Sequence, residues 1–257
     1  MDKLKWYTIT FTEDSIPPLQ CPHCYKGVLK LITKNFIIQE TKASEIASKD
    51  DFWDPEFSDY IFSGLLVCSS CEEYVAVLGT GRLNSANHYD RISETLDNEY
   101  FKVLTPLFFY PALHIFQIPS VCPKDIREEV VQSFPLFWTD LAACANRIRT
   151  SVEVIMSQQG VPKTKKVETG RRRFTLHQRI ELFKIKNPEV AELFLAIKWI
   201  GNKGSHLGKL DRGDILNAYE LLEHSINKLF DKSEQRIKRL SEKINKRKGV
   251  GRKRVPF

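Results

Sequence analysis

Four cysteines of this chain fall as two Cys-x-x-Cys pairs, Cys21-Pro-His-Cys24 and Cys68-Ser-Ser-Cys71. Two residues between cysteines let one tight turn aim both sulfurs at a single ion, and zinc takes four such ligands in a tetrahedral shell. Strand-like sequence flanks both pairs, as a zinc ribbon requires. The 43 residues between the pairs exceed the usual ribbon spacing, which tolerates insertions between its knuckles. Two redox-active or buried thiol pairs are the alternative. An all-sulfur zinc site is coordinatively closed, so the expected ion is structural rather than catalytic. His23 lies inside the first knuckle and is expected to point outward. Cys122 and Cys144 belong to no motif and read as core residues.

A second group with chemical potential is the end of "IKWIGNKGSH", residues 197–206. If the apolar helix continues past Ile200, Asn202 and His206 share a face four residues apart, with Lys203 beside them. An imidazole there can give or take a proton near neutral pH. If Gly201 is instead a C-cap, the segment is a loop and His206 only caps or packs. Both geometries are open from the residues alone. No Gly-rich phosphate loop, Ser-His-Asp set or carboxylate pair stands out, and Glu72-Glu73 reads as surface.

Charge supplies the third group. The chain carries +7, and residues 231–257 alone carry +8, so the excess positive charge is a property of the tail. A second basic knot comprises Lys163, Lys165, Lys166, Arg171, Arg172 and Arg173. Such clusters favour polyanions through counterion release. The knot, Lys203 and the tail residues Lys246, Arg247 and Lys248 are the candidate nucleic-acid contacts, with a solvated tail as the plainer alternative.

These residues must be positioned by an ordinary globular core, for which 257 residues with 42% hydrophobic content suffice. No apolar run approaches the roughly 20 residues that span a bilayer, and the N-terminal residues lack a signal-peptide pattern. The expectation is a cytoplasmic protein with no membrane partner. The fold class reads as α+β, in three parts. Residues 1–120 form a β-rich module carrying the zinc ribbon, with strands at 28–32, 35–38, 60–67 and 74–78. Residues 121–230 form a helical bundle, and residues 231–257 a basic helical extension and tail. "TPLFFYPALHIFQIPSVCP" is too rich in proline for a long helix and reads as an extended crossover.

In the second part, Thr139 or Asp140 caps a helix running to about Gln159. Its apolar positions Leu141, Ala145, Ile148, Val152 and Ile155 form one face. Thr175-x-x-Gln178 is a capping box. Asn187-Pro188 opens another helix, and Asp211-x-x-Asp214 precedes the last one, with Ile215, Tyr219, Leu222, Ile226 and Leu229 on one side. Trp6, Trp53, Trp138 and Trp199 read as core or boundary residues.

Taken together, "CPHC … CSSC", "PKDIREEVV…FWTDLAACANRIRTSVEVIM", "LFLAIKWIGNKGSH" and "DILNAYELLEHSINKLF" resemble the bacterial family called domain of unknown function 4145, over residues 20–230. The most specific elements are Arg149-x-x-x-Glu153 and Gly201-Asn202-x-x-x-His206. That family looks like a branch of the HEPN superfamily of helical bundles, found in toxins, RNases and antiphage defence. The resemblance implies a HEPN-like bundle, a homodimer formed through it, RNA as a partner more than DNA, and partner proteins of a defence system. It also implies a candidate catalytic set of His206, Asn202, Arg149 and Glu153 for metal-independent RNA cleavage. One departure matters: many HEPN RNases carry Arg-Asn-x-x-x-His, and this chain has Gly201 in the arginine's place. Losing such a phosphate-facing donor typically costs about 2–4 kcal/mol of transition-state stabilisation. Arg147 or Arg149 could face the same cleft. The expectation is therefore a nucleic-acid-binding module with little or no catalysis, the alternative being an endoribonuclease acting through His206.

Overall fold

A computed structural model of the protein describes residues 1–90, 95–168, 170–205, 210–231 and 233–247. His206 and Lys248 therefore lie outside the described residues. The chain begins with a short helix, α1 (Lys3–Tyr7), whose Asp2 cap accepts the Lys5 N–H. The sheet follows as β1 (Leu29–Leu31), β2 (Ile37–Glu40), β3 (Asp59–Cys68), β4 (Tyr74–Asp90) and β5 (Thr95–Tyr110). All its pairings are antiparallel: β1 and β2 both lie along β3, β3 pairs β4, and β4 pairs β5. A short helix, α2 (Lys42–Ala47), lies in the connection between β2 and β3.

The helical half comprises α3 (Lys124–Ser133), α4 (Leu136–Thr139), α5 (Leu141–Gln158), α6 (Leu176–Lys184), α7 (Pro188–Ser205), α8 (Arg212–Phe230) and α9 (Ser233–Arg247). A two-stranded ribbon, β6 (Thr164–Val167) and β7 (Gly170–Arg173), interrupts it between α5 and α6. Local chemistry sets the helix starts. The Asp140 carboxylate accepts the Ala143 N–H at 2.9 Å, and both Thr175 and Asp211 form complete capping boxes, with Gln178 and Asp214. Each such cap contributes about 1 kcal/mol by satisfying orphan donors. The apolar faces expected of α5 and α8 are the ones buried, with Ile148, Val152, Tyr219 and Leu222 at 1% exposure or less.

Three elements differ from expectation. The strand expected at 74–78 runs to Asp90 and pairs with a 16-residue partner, β5, that was not expected. A polar stretch such as "LNSANHYD" carries too little apolar patterning for a hydrophobicity reading to find the strand. The last helix breaks at Asp231, whose backbone is extended, before α9 resumes. Trp199 is 57% exposed, not core or boundary: it sits on the outer face of α7 with the Lys198 ammonium 3.7 Å from its ring centroid.

Sheet and bundle share one hydrophobic core. Phe109 of β5 packs edge-on against Trp138 of α4 at 4.7 Å between ring centroids, and Trp6 of α1 meets the same indole at 6.1 Å. The stretch expected to be an extended crossover opens as the end of β5 and continues as irregular chain with bends and a turn, burying Leu113, Ile115, Phe116 and Ile118. Phe116 touches both Phe134 and Tyr219.

Candidate metal centre and basic ribbon

The two Cys-x-x-Cys turns are built alike. In each, the residue after the second cysteine adopts left-handed backbone, Tyr25 at φ 56° and Glu72 at φ 60°. Each of these donates its N–H to the carbonyl of the first cysteine, Cys21 or Cys68, at 3.1 Å. Further backbone N–H groups point at sulfur: His23 at Cys21, Gly27 at Cys24, and both Ser70 and Cys71 at Cys68, all at 3.3–3.4 Å. The turns are tied together where Val28 and Ser69 exchange hydrogen bonds. β1 and β3 supply the base, with Leu29 opposite Cys68.

The result is a cluster of four sulfurs within 4.8 Å of one another. Cys21 and Cys71 are 3.7 Å apart, and Cys24 and Cys68 are 3.6 Å apart. A disulfide needs about 2.05 Å. A tetrahedral shell with metal–sulfur bonds of about 2.3 Å has edges of about 3.8 Å. The thiols also compete for charge. The Gly27 and Lys26 N–H groups bring Cys24 down to about 6, and the Cys71 N–H lowers Cys68. Burial raises Cys21. At Cys71 the Glu73 N–H favours the thiolate, but burial and the neighbouring sulfurs outweigh it and push the thiol up to about 12. Full ionisation of the set needs a cation among the sulfurs, so the cluster fits a metal. His23 is exposed, as expected, and Cys122 and Cys144 are buried in the core.

The motif around Gly201 takes the helical geometry: α7 continues through Gly201, Asn202 and Lys203 to Ser205, and the C-cap alternative does not apply. Arg149 packs against the motif glycine. A Cβ on Gly201 would lie 3.5 Å from Arg149 Cδ and 3.6 Å from the Ala145 carbonyl oxygen, ordinary contact distances. The Arg149 Nε is buried without a hydrogen-bond partner among the described residues. Arg147 turns away to Glu129 on α3, at 3.0 Å. Lys203 is tied to Asp214 in the first turn of α8 at 2.9 Å, and that carboxylate raises the lysine as the lysine lowers the carboxyl. Glu153 makes no ion pair with Arg149 among the described residues and instead lines a pocket beside the ribbon.

The basic knot has a definite shape. β6 and β7 pair so that Lys165 stands opposite Arg172 and Lys166 opposite Arg171, with Arg173 opposite Thr164. All five cations are exposed, as is Lys163 just before β6. Like charges directly opposite on a ribbon, at about 5 Å between Cβ atoms, oppose its formation. None of the six has an ion-pair partner among the described residues. Lys246 and Arg247 end the exposed α9. Sequence reading found the charges but not the ribbon. The Gly170 turn, at φ 126°, and the Lys/Arg strands carry none of the apolar alternation by which strands are recognised.

Fold and site together define the chain as an antiparallel sheet with a four-cysteine, metal-compatible knuckle pair, fused to a helical bundle that displays a basic ribbon. Residues 9–109 match the family model described as domain of unknown function (DUF8608), and residues 132–247 match that described as domain of unknown function (DUF4145). No curated protein and no solved structure matches the chain. Among the described residues, no helix is long and apolar enough to cross a membrane.

Proposed function

We propose that this protein binds nucleic acid, RNA in preference to DNA, as a non-catalytic or weakly catalytic HEPN-like module held together by a structural zinc ion. The observation that carries the reading is the ribbon of opposed like charges. Six cations without an ion-pair partner among the described residues, four of them in directly facing pairs, form an arrangement that a polyphosphate backbone stabilises and that water alone does not. The preference for RNA, a role in bacterial defence or as a toxin, partner proteins of such a system and a homodimer follow from the HEPN resemblance; a cytoplasmic setting is part of the same proposal. Zinc is the ion that a four-thiolate tetrahedral set selects.

The test is the salt dependence of binding to a labelled single-stranded RNA, read by fluorescence anisotropy. If all six ribbon cations meet phosphates, log K falls with log salt at a slope of about −4, at roughly −0.7 per contact. The double variant Lys165→Ala/Arg172→Ala is expected to flatten the slope to about −3 and weaken binding roughly tenfold at 0.15 M salt. An unchanged slope refutes the ribbon as the contact surface.

One observation favours a second reading, endoribonuclease activity through His206. Arg149 lies against Gly201, where HEPN RNases carry their arginine. Under this reading wild-type protein cleaves labelled tRNA without added metal, and both His206→Ala and Arg149→Ala abolish cleavage.

A further inference from the structure

Beside the ribbon lies a pocket of about 310 Å³, bounded by α5, the base of the ribbon and the start of α6. Lys163 and Arg173 reach it from the two strands at the ribbon's base, where the Phe174 N–H donates to the Lys163 carbonyl at 3.0 Å. Thr150 and Glu153 line it from α5, and Arg179 from α6. Arg179 is the unusual member: the residue is 4% exposed, yet no carboxylate lies within ion-pair distance of it among the described residues, and the Glu153 charge acts on it only through space. Arg179 donates to the carbonyls of Glu153 and Val161 and to the Ser157 hydroxyl, all neutral acceptors. These bonds explain its placement, because a cation at the C-terminal end of α5 complements the helix dipole. They do not use its Nε–H, which is buried and has no partner among the described residues.

The charges lining the pocket are therefore three cations, Lys163, Arg173 and Arg179, against one carboxylate, Glu153. The balance of +2 matches a phosphate monoester, which carries about −1.5 to −2 at neutral pH, better than the single charge of a phosphodiester. Shape agrees: a pocket receives a chain end, whereas the open ribbon beside it accommodates a chain passing through. A buried guanidinium already fixed by three hydrogen bonds is pre-organised for an anionic oxygen.

We propose that this pocket seats the phosphate monoester at the end of a nucleic-acid strand whose preceding nucleotides lie along the ribbon. The inference rests on the nucleic-acid reading of the ribbon and adds to it a preference for phosphorylated ends.

The experiment compares 12-nucleotide RNAs carrying a 5′-phosphate, a 3′-phosphate or only hydroxyl ends, by anisotropy, on wild-type protein and Thr150→Glu. Thr150 lies at the partly exposed edge of the pocket on a helix that accepts glutamate, so the variant places a competing carboxylate there without removing a core residue. Unchanged circular dichroism and thermal midpoint verify its fold, and Thr150→Ser serves as the conservative control. One phosphorylated end is expected to bind about tenfold tighter than hydroxyl ends, the worth of one charge-assisted hydrogen bond. Thr150→Glu should erase that preference while Thr150→Ser keeps it. Equal affinity for all ends, with strands still bound, overturns the pocket assignment and leaves the ribbon reading intact. Titration with uridine 5′-monophosphate, followed by ³¹P NMR, separates the two ideas. A Thr150→Glu-sensitive shift without strand binding upholds the phosphate site and refutes the ribbon as its supplier. Neither a shift nor an end preference refutes the site.

Discussion

Replacing Gly27 with alanine puts a methyl carbon where the knuckle has no room. The added Cβ would lie 2.3 Å from Cys68 Sγ, 2.7 Å from Ser70 Cβ and 2.9 Å from the Ser70 backbone nitrogen. Gly27 is not one of the left-handed glycines, so the objection is one of space and not of backbone conformation. Restoring an ordinary contact of about 3.4 Å moves the sulfur by about 1.1 Å, several times the ~0.2 Å by which metal–sulfur distances vary in real sites. The sulfur cannot retreat alone, because Ser70 and Cys71 both donate N–H groups to it and Ser70 itself is the second obstruction. Cys68 is therefore lost from the shell, and three sulfurs with one solvent-open corner hold zinc far more weakly. Purified wild-type protein is expected to contain one zinc per chain by elemental analysis, and Gly27→Ala less than half of one. The thermal midpoint of the variant should fall, and a chelator should lower the wild-type midpoint toward it. Full zinc occupancy with an unaltered midpoint in Gly27→Ala would refute the four-sulfur geometry on which the argument stands.

Two other perturbations have defined outcomes. Burial, with Arg127 nearby, holds the His114 imidazole at about 4 instead of 6.5. The unfolded chain thus takes up this proton first, and stability is lost as pH falls from about 6.5 toward 4. His114→Phe, whose ring suits the neighbouring Tyr25 and Phe134, should lose less stability than wild type between pH 7 and pH 5 in urea titrations. Acid effects on the cysteines are common to both proteins, so identical pH profiles would refute the assignment. Gly201→Ala should be tolerated, since its Cβ makes only ordinary contacts, and removing a glycine from a helix interior gains about 0.5–1 kcal/mol. The thermal midpoint is then expected to rise by about 2 °C; a fall would mean that the space at Gly201 is required.

The sequence made the helices legible because capping residues and apolar periodicity coincide there: Asp140, Thr175 and Asp211 cap where expected, and the faces built on Ile148 and Tyr219 are buried. The cysteine cluster was legible for a similar reason, since two residues between thiols leave few geometries for the turn. Long-range register was not legible. That Lys165 faces Arg172, or that β4 continues into a polar strand, depends on pairing partners, which residue types do not encode one at a time. The continuation of α7 past Gly201 was not legible: the residues taken alone favoured the loop that the structure does not show. The helix persists because Lys203 gains an ion pair with α8 and Gly201 seats against α5. Arg179 escaped notice because a single arginine in a capped helix looks like surface, and only the fold buries it.

The two family-matched segments meet through Phe109, Phe116 and Trp138 rather than through a linker. Cutting the chain between residues 109 and 132 would bare an aromatic seam on each fragment. Neither piece is then a natural unit for expression, crystallisation or grafting. A recombination joint placed there would have to supply a replacement greasy surface on both sides.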